Sequence, residues 1–408
     1  MRNVLVLLSL YLVLIVVYVL ARIYGGFGPW FLFGALICMS LYETATYRSL
    51  RRRYAMTRHV SVSRLAAGGT VEITLDVQIS RSGWIPLHWL RIEDDLPPKL
   101  MVRLAQPYQM TYPWRDRQTT VRYMIDHIPR GSYRMPGAYV VSGDIFGLLN
   151  RRVYVPTAGQ VIAYPETRRL MGFSVVERAR PGSRVNHARS SDDAARVIGI
   201  RDYVPGDRLS RIHWPATART GALRSKEFEH YVMNEVVLIL DATKLSYGHD
   251  PLSFELALSL AGSFAEFLHQ SETAFGLQVF AGQHIDLPVG RGDVNLIRVM
   301  EYLAVMQADG EEAIADTLWR LAGLPSQTTV VVIGHTLGSE WLKFAVLAKE
   351  RQLKVELLIT RLPNTSLSTD EAELCDALRS HGFRIRTIHS IDEIDANVAL
   401  SRQRPREE

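Results

Sequence analysis

"EVVLILD", residues 235–241, is a continuous apolar run that stops on an aspartate. A strand with both faces buried has this composition, and such strands belong to parallel sheets covered by helices. The sequence that follows keeps alternating in the same way. "SFELALSLAGSFAEFLHQS" places Phe254, Leu258, Ala261, Ala265 and Leu268 three and four residues apart, which predicts one apolar helix face. Next come strand-like "AFGLQVFA", helix-like "DVNLIRVMEYLAVMQ" and "EAIADTLWRLAG", strand-like "TTVVVIG", helix-like "EWLKFAVLAKE", strand-like "KVELLIT", helix-like "TDEAELCDALRSHG" and a last strand-like "RIRTIHS". Residues 235–395 therefore read as an α/β domain of the doubly wound, Rossmann type, and 396–408 as a flexible tail. Ligands of such sheets gather at the carboxyl ends of the strands, which singles out Asp241 and the loop after Ile333.

Two chemistries compete at those positions. An aspartate ending the first strand, with hydroxyls two and four residues later, can hold Mg²⁺ through hard oxygens. Here Asp241 and Thr243 fit, but Leu245 stands where the second hydroxyl belongs and Ser246 comes one position late. Lys244 adds an opposing charge, and the later strand ends in "GHT" without a carboxylate. This is a degenerate metal pattern, and no metal or other cofactor is expected. The second chemistry is "GHTLG", residues 334–338, a G-x-T-x-G between strand and helix that imitates the nucleophile elbow of hydrolases. Asp370 or Asp376 and His381 or His389 follow in hydrolase order. A β-branched Thr336 suits a strained elbow poorly, and no HGGG-type oxyanion motif is present. A membrane-bound hydrolase using Thr336 is the alternative reading.

Toward the N-terminus the pattern changes twice. In "TVEITLDVQIS" five apolar residues from Val71 to Ile79 alternate with polar ones, the period of a half-buried strand. "TTVRYMID" and "GAYVVSGD" continue this between Pro- and Gly-rich turns, so residues 51–165 predict an antiparallel β-sandwich. Trp84 and Trp89 are expected to pack there rather than form a ligand platform. Ahead of it, "VLVLLSLYLVLIVVYVLA" (4–21) carries no charge and nearly crosses a bilayer core, and a second apolar run occupies 26–42. Residues 1–50 are expected to form a transmembrane hairpin. Arg48, Arg51, Arg52, Arg53 and Arg58 follow the second run, whereas the turn offers only Arg22. The positive-inside rule then puts both termini and the folded domains in the cytoplasm, with the arginines on anionic headgroups.

These five arginines account for most of the chain's net charge of +5. The remainder is nearly neutral, which argues against a nucleic-acid partner. Two cysteines, Cys38 and Cys375, suggest neither a disulfide framework nor a thiolate metal site.

Between the two folded regions, residues 166–234 read as a connector carrying "RDYVPGDRLSRIHWPATARTGALRSKEFE" (201–229). Asp207 is placed to N-cap a short helix through Ser210 that Pro215 would end. Cations and carboxylates nearly balance in this segment, which favours internal Arg–carboxylate pairs over an open anion site. His213 has no Ser, Cys or metal-ligand companion at a useful spacing and reads as a hydrogen-bonded structural residue.

The ordered set "PRGSYRMPG", "GDIFGLLNRR", "VIAYPE", this long segment and "VVLILDAT" resembles the domain of unknown function 58 family. The resemblance runs from about residue 50 to 395. It implies a membrane-tethered β domain followed by a von Willebrand factor A-like domain, without an established enzymatic activity. It also implies association with a MoxR-type AAA+ ATPase and sometimes a transglutaminase-like membrane protein. The motif positions carried over are Arg201, Gly206, Asp207, Arg208, Ile212, Trp214, Ala218, Arg219 and Glu229, as a structural clamp or a partner contact. Pro215, and Ile145 of "GDIFG", depart from the residues usual there. The expectation is a non-enzymatic membrane adaptor whose A-like domain binds a partner protein.

Overall fold

The structure is a computed structural model that describes residues 2–80, 86–106, 108–114, 116–170, 197–204, 209–228, 235–248, 250–280, 285–311, 324, 328–363, 365 and 367–393. Trp84, Gly206, Asp207, Arg208, Glu229, the helix-like 312–323 and the tail 396–408 lie outside the described residues. The chain divides into two compact units, one of residues 1–167 with 297–307, the other of 168–296 with 308–408.

The first unit opens with α1 (Arg2–Tyr24) and α2 (Phe27–Ser49). Helix α1 is long and apolar enough to cross a membrane. The two helices lie antiparallel: Gly25 and Gly26 take positive φ of 62° and 84° at the turn, and Tyr18 packs on Phe33 with ring centroids 5.3 Å apart. Near the other end the Tyr11 and Thr44 hydroxyls meet at 2.6 Å.

Two sheets follow. One has the order β1–β3–β6, built from β1 (Tyr54–Val60), β3 (Val71–Ile79) and β6 (Gln118–Ile125). The other has the order β2–β8–β7–β4–β5, from β2 (Arg64–Ala66), β4 (Leu90–Asp94), β5 (Gln109–Thr111), β7 (Gly131–Gly143) and β8 (Asn150–Tyr164). A short α3 (Pro98–Met101) lies between β4 and β5. The alternation read from Val71 to Ile79 is the observed one: all five apolar side chains are buried. They share a core with Leu90, Ile92, Val140 and Val161. Full burial of each large aliphatic chain contributes roughly 1.5–3 kcal/mol.

One buried charge crosses this core. The enclosed Arg58 side chain pairs with Asp94, which also accepts from the Tyr123 hydroxyl. Arg58 donates further to the carbonyls of Met135 (2.7 Å) and Thr157 (3.0 Å). Gly159 makes room for it, since a Cβ there would stand 2.6 Å from Arg58 Cδ. The expectation that all five arginines lie on headgroups is therefore corrected. Arg58 is an interior residue and Arg52 is buried, because each finds acceptors in the protein, whereas Arg48, Arg51 and Arg53 are exposed.

In the second unit β9 (Val197–Asp202) and β10 (Arg224–Phe228) form an antiparallel pair. The excursion between them holds a 3₁₀ turn (Leu209–Arg211) and α4 (Trp214–Thr220). A six-stranded sheet then takes the order β13–β12–β11–β14–β15–β16. Its strands are β11 (Glu235–Asp241), β12 (Ala274–Phe280), β13 (Ile285–Gly290), β14 (Thr329–Gly334), β15 (Lys354–Thr360) and β16 (Arg384–Ile388). All pairings are parallel except β12 with β13. Among the described residues the helices that follow β10 in the chain are α5 (Lys244–Tyr247), α6 (Pro251–Gln270), α7 (Asp293–Val305), α8 (Trp341–Glu350) and α9 (Thr369–Ser380), with α7 from residue 297 onward counted in the first unit. Asp250 caps α6 by accepting from the Ser253 amide at 3.0 Å, and the predicted face Phe254, Leu258, Ala261, Ala265, Leu268 is the buried one. Strand β13 was not anticipated. It is an antiparallel edge strand that contains Pro288, a residue tolerated only at sheet edges and bulges.

Candidate functional site

The strand order reverses between β11 and β14: from β11 the chain goes first to β12 on one side and later to β14 on the other. The crevice beyond the carboxyl ends of these two strands is where doubly wound sheets place ligands. Asp241 ends β11, and His335 and Thr336 follow β14.

Asp241 is fully buried. Its Oδ1 accepts the Thr243 amide at 2.9 Å, while Oδ2 has no hydrogen-bond partner. Burial pushes its carboxyl above the usual range, against the pull of the nearby Ser246 and Thr243 and of His335. Thr243 N-caps α5, donates through Oγ1 to Ser246 Oγ at 2.9 Å, and Ser246 Oγ meets Thr336 Oγ1 at 2.8 Å. Ser246 thus joins the site although it is one position late in sequence, because the turn of α5 carries its hydroxyl back over Thr243. Behind this chain Tyr247 bonds Thr360 Oγ1 at 3.2 Å and stacks near His335, whose Nδ1 meets the Thr360 carbonyl at 2.6 Å. Gly334 leaves space beside Asp241, where a Cβ would stand 3.9 Å from Oδ2.

One carboxylate and three hydroxyls form a polar cradle. No group of three or more His, Cys, Asp and Glu is arranged to hold a metal ion among the described residues. The donor set is a carboxylate short of balancing a divalent ion, so no step is assigned to a metal. Nor does the geometry supply an elbow. Thr336 is not among the residues with positive φ, and it bonds a hydroxyl rather than a base. Of the hydrolase candidates, Asp376 pairs with Arg379 at 2.7 Å, His381 Nδ1 meets the Ala377 carbonyl at 2.9 Å, and His389 Nδ1 meets the Leu362 carbonyl at 3.3 Å.

The motif segment forms a second feature. Arg201 lies on β9 and donates to the Asp202 carbonyl at 3.0 Å, and Asp202 pairs with Arg224 of β10 at 2.9 Å. Ile212, 3% exposed, pins the excursion by bridging to Ser225. Trp214, at 62%, and Arg219 point outward. Pro215 begins a helix rather than ending one, because the first helical turn has no use for its missing N–H. His213 supplies the cap: its Nδ1 accepts the Ala216 amide at 3.0 Å. Gly221 closes α4 with φ of 68°. The cap was missed because histidine is not among the residues that sequence rules put at a helix start.

Residues 199–395 match the family model described as Protein of unknown function DUF58. That span contains both features. Over 375 residues, 90% of each chain, the sequence is 27% identical to Uncharacterized protein YeaD of Bacillus subtilis strain 168. Among solved structures, the chain is similar to an aerotolerance-related membrane protein from Bacteroides fragilis, with 19% identity and a TM-score of 0.29, covering 41% of this chain and 96% of that one. It is also similar to the CARDB domain of a Pyrococcus furiosus protein, with 8% identity and a TM-score of 0.21, covering 28% and 93%. Neither score is high enough to carry a structural argument.

Proposed function

We propose that this chain is a non-enzymatic, membrane-anchored adaptor. In this reading α1 and α2 form a two-pass hairpin, and exposed Arg48, Arg51 and Arg53 hold both folded units on the cytoplasmic side. The second unit acts as a von Willebrand factor A-like domain that binds a partner protein, a MoxR-type AAA+ ATPase as the family resemblance implies. A transglutaminase-like membrane protein is a further partner of that set. The observation that carries the reading is the excursion between β9 and β10, where Leu209 and Trp214 are 73% and 62% exposed on a turn anchored by buried Ile212. Exposed tryptophan on a rigid base is a favoured anchor for protein partners.

The experiment is co-purification of the detergent-solubilised full chain with a MoxR-type ATPase from the same cells. Trp214→Ala should abolish recovery of the ATPase while leaving the melting temperature unchanged. Equal recovery with both proteins would refute the assignment.

A further inference from the structure

The β7–β8 connection, residues 144–149 ("DIFGLL"), combines two properties. Its tip is apolar and open, with Ile145 58% and Phe146 56% exposed. Its N–H groups are nevertheless almost all bonded from within. Asp144, 1% exposed, accepts the amides of Phe146 (2.8 Å) and Leu148 (3.2 Å) on Oδ2 and of Leu149 (2.7 Å) on Oδ1. The Asp144 amide donates to the Leu149 carbonyl at 3.1 Å, and the Ile145 amide reaches the Tyr42 hydroxyl at 3.4 Å. Five of the loop's six N–H groups are therefore bonded inside the protein. Hydrocarbon offers no hydrogen-bond partner, so donors already bonded within the protein lower the cost of moving the loop tip out of water.

The helix register sets the depth of the loop. Tyr11 of α1 is level with Thr44 of α2, their hydroxyls 2.6 Å apart. The apolar stretch of α1 begins at Val4, seven residues before Tyr11, hence about 10 Å nearer its polar end at 1.5 Å per residue. Phe146 packs edge-on against Tyr42, two residues deeper than Thr44, with ring centroids 5.7 Å apart. The loop tip thus lies beside α2 at a level well inside the apolar segment of α1, where Leu5, Leu8 and Leu12 are 60–64% exposed. At 1.5 Å per residue that segment is about 27 Å long, no longer than a hydrocarbon core of about 30 Å, so leaving any of it in water has a cost. From Tyr42 the aromatic contacts continue through His88 to Trp114, 56% exposed, a residue suited to the headgroup boundary.

We propose that loop 144–149 is a membrane wedge, with Ile145 and Phe146 inserted among lipid acyl chains beside α2. The wedge fixes the first unit against the bilayer, so the unit is held at a second point besides the helices. This rests on α1 spanning the membrane, as the proposed function also does.

The test uses the full chain in phosphatidylcholine/phosphatidylglycerol vesicles whose acyl chains are brominated, with one polarity-sensitive fluorophore per protein. In one protein the label sits on Cys38 of α2, with Cys375→Ser. In the others it sits on Ile145→Cys or Phe146→Cys, with both native cysteines changed to serine. Both loop positions are open, so cysteine there removes no core packing, and the change at buried Cys375 is common to every protein compared and lies in the second unit. The expected result is loss of fluorescence to the brominated chains at 38 and at the loop, with no loss to aqueous iodide at either. Bromine quenching at 38 with iodide quenching at 145 and 146 overturns the wedge while leaving the anchor in place. Iodide quenching at all three positions overturns the anchor, and the wedge with it.

Discussion

His213 Nδ1 accepts the amide of Ala216 at 3.0 Å, so the histidine of the motif segment is the N-cap of α4. His213→Ala should cost about 0.5–2 kcal/mol of local stability, seen as faster hydrogen exchange across residues 214–220. His213→Asn restores an acceptor at the same place and should recover most of the loss. A general base would not be rescued in this way.

The buried Arg58–Asp94–Tyr123 set makes the β domain sensitive to single changes. Asp94→Ala leaves a guanidinium enclosed without a counter-charge and should destabilise the unit by roughly 3–5 kcal/mol. Tyr123→Phe removes one donor to the carboxylate and should cost about 1–3 kcal/mol. Denaturant titration of both variants, followed by near-ultraviolet circular dichroism, checks the order.

Asp241 gives a pH signature. Burial holds its folded-state carboxyl above the usual range, so the folded chain keeps a proton that the unfolded chain gives up above about pH 4. Its contribution is present in full below that pH and is lost as pH rises through the raised folded value. Asp241→Asn cannot ionise and should gain on the wild type as pH rises above about 4. Thermal unfolding of the two proteins at several pH values measures the difference. A gap that shrinks with rising pH contradicts the assignment.

Thr336 completes the hydroxyl chain from Thr243 through Ser246. Thr336→Val should therefore lower stability by about 1 kcal/mol. If the chain were a hydrolase, a fluorophosphonate probe would label the wild type and not Thr336→Val. The expectation is no labelling of either.

The elements with strong periodicity were legible in the sequence. β3 alternates because one face meets a core and the other does not, and β11 is uniformly apolar because helices and strands cover it. What escaped reading depends on contacts between distant residues. Arg58 looks like a surface cation until Asp94, 36 positions away, is brought beside it. Ser246 looks out of register until α5 turns it back to Thr243. Pro215 has two opposite meanings for a helix, and only the His213 cap decides between them. Strand β13 carries too short a pattern, with a proline inside it, to be separated from a loop. Gly206, Asp207, Arg208 and Glu229 remain motif positions read from sequence.

The order of the six-stranded sheet also bears on self-association. Among the described residues its outer strands are β13 and β16. Each is a poor template for another chain: Pro288 removes a donor from the first, and exposed Arg384 brings positive charge to the second. In the proposed membrane-anchored adaptor, whose copies would meet far more often than in solution, blunted borders of this kind would keep neighbouring molecules from zipping together into fibres.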